Sequence, residues 1–282
     1  MSERLSSKNG FYSQSGIIEL QPEEMVWLSW TVGIVTAIAG LIIGSFLNVV
    51  AIRLPRGESI LWPGSRCMQC GHPLRSWDLV PIFSWLALRG RCRYCHAHIS
   101  VQYPLVEALT AAVFVLIVWH FGITAETALL LVESGLLILS ATVDARTLEI
   151  PDTFTFSALG VALVGRTLLL WPAIFNVLLT GLGSLLFFAL LGRLMRRLLG
   201  REALGGADVL LMGTAGFLLG WPILLVAVLV AALSGLLFAF VSRPFLPEGE
   251  KLIPFGPFIV FGILFALFLG QPLWNLYMQL YM

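Results

Sequence analysis

Charged residues are scarce in this sequence. They make up 12% of its 282 residues, whereas 58% are hydrophobic and the mean hydropathy is +0.91. An ordinary soluble domain is about a quarter charged and less than half apolar. The shortage of charge therefore excludes a water-soluble enzyme of this length and indicates an integral membrane protein. The net charge of only +1 gives no basic surplus for a nucleic-acid partner, so we expect none.

The N-terminal segment, residues 1–25, lacks the features of a removable signal peptide. It is polar and mildly acidic, and it has neither a basic n-region nor a small-residue cleavage site. We expect it to remain as a polar, disordered segment ahead of the first membrane helix.

Long apolar runs dominate the remainder. A helix that crosses the hydrocarbon core needs about 20 apolar residues. A 33-residue run, 209–241, is interrupted at Gly220–Pro222 and predicts two short or tilted spans joined by a turn. The other runs predict one span each and lie at residues 26–52, 103–121, 125–143, 154–171, 173–191 and 255–270. The sequence thus predicts an all-α polytopic membrane protein with about eight transmembrane helices, in contact with membrane lipid.

The basic residues indicate the orientation. With eight spans, the loops on one side carry 14 of the 17 lysines and arginines. These loops lie at residues 52–102, 145–151, 192–206 and 242–254. Short loops rich in Lys and Arg stay in the cytoplasm. We therefore expect these loops to be cytoplasmic and the N-terminus to lie outside.

All four cysteines lie in the first of these loops, as two C-x2-C pairs separated by 21 residues: Cys67, Cys70, Cys92 and Cys95. This spacing is typical of tetrahedral structural zinc sites. A disulfide is the alternative, and a reducing cytoplasm disfavours it. Four thiolates leave no open position for water or substrate, so the predicted Zn²⁺ is structural. We expect the nearby His72, His96 and His98 to be solvated rather than ligands.

A few carboxylates interrupt or border the apolar runs: Glu107, Glu126, Glu133, Asp144, Asp152 and Asp208. Such residues are costly in hydrocarbon and are candidates for function. Asp144 ends the third predicted span and Asp208 opens the sixth, so both are expected at the cytoplasmic membrane surface. Two carboxyl groups that meet there would share one proton, the arrangement of aspartic peptidases.

Other interpretations of these carboxylates are open at this point. Asp144 could pair with Arg146, Asp208 could cap its helix, and Asp152 after Pro151 suits an N-cap. Carboxylates within a membrane are also compatible with a proton-coupled transporter. A noncatalytic assembly factor of a pilus or secretion system would keep the cysteines and need no aspartates.

From residue 40 onwards, the sequence resembles the type IV prepilin peptidase family. The resemblance rests on the segment 44–55, the paired cysteines, the segment 84–92, Tyr103–Glu107, the segment from Asp144 to Ile150-Pro151-Asp152, and Ile253–Pro257. It implies Asp144 and Asp208 as the catalytic pair. Around Asp208 two positions depart from the family's G-x-G-D-x-K-L pattern, since Ala207 replaces a glycine and Leu210 replaces the lysine.

The resemblance also implies the activity. Family members cleave the basic leader of prepilins and pseudopilins after a glycine, at the cytoplasmic face of the bacterial inner membrane. Many then N-methylate the new terminus with S-adenosylmethionine, while some are peptidases only. No Gly-rich dinucleotide-type fingerprint is present, so methylation rests on the resemblance, with Glu107 and the zinc loop as contributors to the methyl-donor site. The expected organisation is a polar segment 1–25, a first span 26–52, a cytoplasmic zinc loop 53–102 and a seven-helix peptidase core 103–282.

Overall fold

The computed structural model describes residues 22–170, 174–200, 204–242 and 253–281. The predicted polar segment 1–25 lies almost wholly outside this part. Nine α-helices occur in the described residues: α1 (Pro22–Arg53), α2 (Phe83–Ala87), α3 (Gln102–Phe121), α4 (Ala125–Thr147), α5 (Asp152–Leu169), α6 (Ile174–Leu199), α7 (Gly206–Leu219), α8 (Ile223–Ser242) and α9 (Gly256–Tyr281). The only β-structure described is two isolated bridges. The predicted all-α fold is confirmed.

Each of the eight predicted spans corresponds to a helix in the described residues. Among the described residues, α1, α3, α4, α6, α8 and α9 are long and apolar enough to cross a membrane. The chain is therefore a multi-pass membrane protein. Helix α7 is apolar but has only 14 residues, which span about 21 Å. Helix α5 falls outside the six because threonines, a serine and Arg166 dilute its apolar character.

The break predicted in the 33-residue run is present. Helix α7 ends at Leu219 and α8 begins at Ile223. Gly220 between them takes a left-handed conformation with φ 67°, which glycine adopts at little cost. Pro222 cannot donate to the preceding turn. The two residues together end α7 and allow the chain to reverse.

Helix α1 packs along α3 at unusually short range. A Cβ on Gly40 would lie 2.6 Å from the Cα of Ala111, and one on Gly44 would lie 2.8 Å from the Cα of Glu107. Small residues four apart are typical of close helix packing in membranes, where backbone contact replaces the hydrophobic effect. This contact fixes the depth of Glu107 next to the first loop.

Helix α4 lies at the centre of the bundle. It packs against α1, α3, α5 and α9, and its residues Leu137, Ile138 and Val143 are almost fully buried. Helix α7 packs against α5, α6 and α9. Because α5 and α9 contact both α4 and α7, they bring the carboxyl end of α4 and the amino end of α7 to the same end of the bundle.

Candidate functional site

The two aspartates singled out in the sequence lie at this end of the bundle. Asp144 is in the last turn of α4 and is 7% exposed, and Asp208 is in the first turn of α7 and is half-buried. Asp144 Oδ2 accepts a hydrogen bond of 2.7 Å from the backbone N–H of Gly256. Asp208 Oδ2 accepts one of 3.3 Å from the backbone N–H of Gly205. Each carboxyl group is thus held by a backbone N–H at the start of a helix, that of α9 for Asp144 and that of α7 for Asp208.

Gly256 lies directly against the carboxyl group of Asp144. It is the first residue of α9, so its N–H has no partner within that helix and is available to Asp144. A Cβ built on Gly256 would lie 2.7 Å from Asp144 Oδ2. No side chain fits there without displacing the carboxyl group. The motif Ile253–Pro257 thus positions Asp144 through Gly256.

The alternative roles of these aspartates can be compared with the structure. No ion pair joins Asp144 to Arg146 among the described residues, and Arg146 donates to Gln102 Oε1 at 2.8 Å. The bond from Gly205 to Asp208 is typical of a carboxylate in the first turn, so Asp208 does stabilise the start of α7. Asp152 is exposed and is the first residue of α5, with Pro151 in the capping position and no side-chain capping bond.

The other carboxylates of the apolar runs are dispersed. Glu107 Oε2 accepts a hydrogen bond of 2.7 Å from the backbone N–H of Ile82, and this bond ties α3 to the first loop. Ile82 has φ 61°, which is rare for a β-branched residue. Glu126 pairs with Arg166. Glu133 is 1% exposed and neither of its carboxylate oxygens has a hydrogen-bond partner in the described part of the chain.

The four cysteines are brought together by two similar turns. In the first, Cys67 N–H donates to His72 O and Gly71 N–H donates to Cys67 O. In the second turn, Cys92 N–H donates to Ala97 O and His96 N–H donates to Cys92 O. The residue after each C-x2-C is left-handed, with φ 71° at Gly71 and 58° at His96. Segments 65–74 and 90–99 are thus a local structural repeat.

The four sulfur atoms all lie within 4.8 Å of one another, and Cys67 Sγ is 3.8 Å from Cys95 Sγ. Ligands about 2.3 Å from a central Zn²⁺ in a tetrahedron are about 3.8 Å apart. The cluster can therefore hold a metal ion. His72 packs on the ring of Tyr94 at 3.7 Å between centroids, and among the described residues no histidine belongs to the metal-binding group.

Two thiols of this cluster have displaced pKa values. The backbone N–H of Cys70 is the main cause that lowers the pKa of Cys67 to about 7. The backbone N–H of Ala97 lowers the pKa of Cys95, but burial and hydrogen bonds with the other three thiols outweigh it and raise the value to about 12. A bound cation would require the thiols to lose their protons, because the thiolate is the metal ligand.

Asp78 connects the two cysteine turns. Its side chain is 3% exposed and accepts from Arg93 Nε at 2.7 Å, from Tyr94 Oη at 3.1 Å and from the backbone N–H of Arg75 at 3.2 Å. Desolvation raises the pKa of Asp78, but these donors outweigh it and hold the pKa below its usual value. Arg75 follows the first turn and Arg93 belongs to the second, so Asp78 braces one against the other.

A cavity of 360 Å³ lies between the cysteine-containing loop, residues 53–102, and the ends of α1, α3 and α4. The residues that line it include Glu107, Arg146, Trp85 and Tyr103. Arg146 is two residues beyond Asp144 on the same helix, so the cavity opens beside the end of the bundle that holds the aspartates. A cavity of this size that combines apolar walls with a few charged groups is typical of a small-molecule site.

Comparison with known proteins identifies the family. Residues 38–121 match the bacterial peptidase A24 N-terminal domain, and residues 131–240 match the type IV leader peptidase family. A prepilin leader peptidase/N-methyltransferase of Pectobacterium carotovorum is 34% identical over 89% of this chain and 98% of its own length. The protein of the same name from Pseudomonas aeruginosa is 32% identical over 86% of this chain and 92% of its own.

A third relative is the type 4 prepilin-like proteins leader peptide-processing enzyme of Escherichia coli, 34% identical over 84% of this chain and 93% of its own length. No solved structure matches the chain significantly. The resemblance found in the sequence motifs is therefore confirmed by matches that cover most of the molecule. The chain belongs to the type IV leader peptidase family.

Proposed function

We propose that this protein removes the leader peptide of type IV prepilins or pseudopilins and then N-methylates the new terminus with S-adenosylmethionine. The observation that carries the proposal is that Asp144, in the last turn of α4, and Asp208, in the first turn of α7, lie at one end of a membrane bundle. The names of the relatives, prepilin leader peptidase/N-methyltransferase, agree with both activities.

The pair of aspartates supplies acid and base for peptide hydrolysis. The ionised carboxylate takes a proton from a water molecule, whose oxygen attacks the scissile carbonyl carbon, while the protonated carboxyl donates its proton to the carbonyl oxygen. Collapse of the tetrahedral intermediate breaks the C–N bond, and a carboxyl proton passes to the leaving amine. Gly256 keeps Asp144 in place for these steps through its N–H. The open space beside Gly206, where a Cβ would meet nothing within 4 Å, gives the substrate backbone access to Asp208.

We place this reaction at the cytoplasmic face of the bacterial inner membrane, with the N-terminus outside. Helices α1, α4 and α6 all carry arginines in their last turns, at Arg53, Arg146, Arg196 and Arg197. In an alternating topology these turns share one face, which the positive-inside rule assigns to the cytoplasm. The zinc loop and the aspartates lie on that face. An apolar substrate helix could then lie in the membrane while its basic leader stays in the cytosol.

We assign a structural Zn²⁺ to the cysteine cluster. The four thiolates would complete its coordination, so the ion would hold the two turns together and take no part in hydrolysis. The brace through Asp78 would keep the loop folded over the cavity.

We assign the methyl donor to the cavity beneath this loop. S-adenosylmethionine would supply a methyl group on a sulfonium cation. The Glu107 carboxylate can pair with a cationic group, the Arg146 guanidinium can pair with a carboxylate, and Trp85 and Tyr103 offer aromatic surface to an adenine ring. These groups fit the donor's charges.

The proposal is tested with the purified protein in lipid nanodiscs, a full-length prepilin and methyl-labelled S-adenosylmethionine. Mass spectrometry of the pilin reports the loss of the leader and the gain of the label together. Leader loss with label is the expected result. Leader loss without label would limit the function to peptidase activity, and an intact prepilin would contradict the proposed function.

We expect Gly256→Ala to lower kcat for leader cleavage by about 100-fold, because displacement of a reacting group by about 1 Å can cost this much. The new methyl group must push Asp144 Oδ2 away from a position 2.7 Å distant. Methylation of a pilin peptide that already lacks its leader should be unchanged. Gly135→Ala is the matched control, since Gly135 is buried on α4, the helix that carries Asp144, and a Cβ there meets nothing within 4 Å. Equal loss in both variants would contradict the role of Gly256.

We expect Glu107→Gln to raise KM for S-adenosylmethionine by roughly 10- to 100-fold, the cost of one hydrogen bond to a charged group. Glutamine keeps an acceptor for the Ile82 N–H, so the loop should stay attached to α3. Leader cleavage should keep its wild-type rate. Glu149→Gln, at an exposed carboxylate outside the cavity, serves as control. An unchanged KM in Glu107→Gln would place the methyl donor elsewhere.

A further inference from the structure

Arg166 is a buried cation that the proposed chemistry leaves unused. It lies near the carboxyl end of α5, whereas Asp152 begins that helix. Arg166 is 7% exposed. One of its nitrogens, Nη1, donates to Glu126 Oε1 at the start of α4. The other, Nη2, donates to the backbone carbonyl of Leu218 in the last turn of α7 at 2.6 Å. A single guanidinium thus joins α4 to α7.

The carbonyl of Leu218 needs this donor. In a continuous helix it would accept from the residue four positions on, which here is Pro222 and has no N–H. A buried carbonyl without a partner is costly, above all in a membrane. A cation at a helix carboxyl end also interacts favourably with the helix dipole. Arg166 therefore stabilises the end of α7 where the sequence itself removes the usual bond.

A second carboxylate of α4 faces the same region. Glu133 is seven residues after Glu126, so both lie on one face of α4. Only Glu126 pairs with Arg166 among the ion pairs of the described residues, while Glu133 is buried on the same face of α4.

The helices that Arg166 joins are those that carry the two aspartates. Asp144 is 18 residues from Glu126 along α4, about 27 Å of helix axis, and Asp208 is ten residues from Leu218 along α7, about 15 Å. Because α-helices are stiff over these lengths, fixing α7 against α4 at one end sets the relative depth of the aspartates at the other.

We propose that Arg166 is a positioning residue for the aspartate pair, acting as a clamp between the ends of α4 and α7 that lie opposite the site. This inference rests on the proposed function for its kinetic consequence. It does not require Arg166 to touch substrate. It does require that the bond to Glu126 and the bond to Leu218 act together, since either alone leaves one of the two helices unfastened.

The clamp is tested by a double-mutant cycle of Arg166→Met and Glu126→Leu in nanodiscs. Each single variant should lower kcat for leader cleavage roughly tenfold to 100-fold, the size expected for misplaced catalytic groups, with KM for the prepilin changed less than about threefold. The double variant should be no worse than the more severe single variant, because both remove the same connection. Thr167→Val is the control, since Thr167 bonds only within α5 in the described structure.

Several outcomes would overturn the clamp. If Arg166 only satisfies the Leu218 carbonyl, Glu126→Leu will leave kcat unchanged. Losses that multiply in the double variant, or a change confined to KM, would equally contradict it. Hydrogen exchange of the α7 peptides supplies a readout that needs no activity: both single variants should exchange faster there, with α1 and α3 unchanged. A wild-type protein that fails to cleave prepilin would contradict the proposed function, while unchanged exchange in α7 would contradict the clamp.

Discussion

Asp144→Asn and Asp208→Asn should each reduce the rate of leader cleavage by about 100- to 10,000-fold, the range that a general acid or base contributes. Asparagine keeps an oxygen that can accept from the Gly256 or Gly205 N–H, so the helices should remain in place. The double variant should resemble either single one, because the two groups act as a unit. The rate is measured from prepilin loss in single-turnover samples.

The matched control for these variants is Asp152→Asn. Asp152 lies in the same segment as Asp144 but is exposed. In the described part of the chain it forms no hydrogen bond with Asp144 or Asp208. The Asp152→Asn variant should cleave prepilin at close to the wild-type rate. Wild-type cleavage by Asp144→Asn or by Asp208→Asn would contradict the assignment of the pair.

Removing a cysteine should have a comparably large effect on the binding of zinc. Structural zinc contributes about 10–16 kcal/mol of apparent binding free energy, or about 2.5–4 kcal/mol for each of four ligands. Cys70→Ser or Cys95→Ser should therefore weaken zinc binding by roughly 100- to 1,000-fold. Elemental analysis should find one zinc per wild-type chain and much less in the variants. Methyl transfer should fall more than leader cleavage, because the loop covers the cavity and lies apart from the aspartates.

His72→Ala serves as the control for the cysteine variants, since His72 packs on Tyr94 outside the group of four sulfurs. Its zinc content should match the wild type. A wild-type protein without zinc would remove the metal assignment, and loss of zinc from His72→Ala would require a different ligand set.

The helices could be predicted from hydropathy, but their ends could not. The apolar pattern predicts α4 at 125–143 and α6 at 173–191, whereas α4 extends to Thr147 and α6 extends to Leu199. Apolar runs end where the membrane ends, whereas Arg and Leu have good helix propensity and continue the helix into water. The break at Gly220–Pro222 was predictable because both residues disfavour a continuous helix.

The site was predictable only in part, for a related reason. Asp144, Asp208 and the cysteines are chemically conspicuous in an apolar chain. Gly256, which contacts Asp144 directly, and Arg166, at the opposite ends of α4 and α7, have partners that lie 112 and 52 residues away in the sequence. Periodicity and spacing in a sequence report local structure. They therefore cannot predict contacts between residues on different helices of the bundle. An arginine inside an apolar run was the one available sign that Arg166 has a buried partner.

The bond between Gly256 and Asp144 has a consequence for biosynthesis. The ribosome must add 112 residues after Asp144 before its hydrogen-bond donor exists, which takes roughly 6 to 22 s at about 5–20 residues per second. Throughout that interval the third membrane helix is already made, but its aspartate has no α9 to bind. The proposed reaction centre can therefore be completed only when the final helix inserts, and a nascent chain stalled before residue 256 carries both aspartates without the Gly256 N–H that holds Asp144.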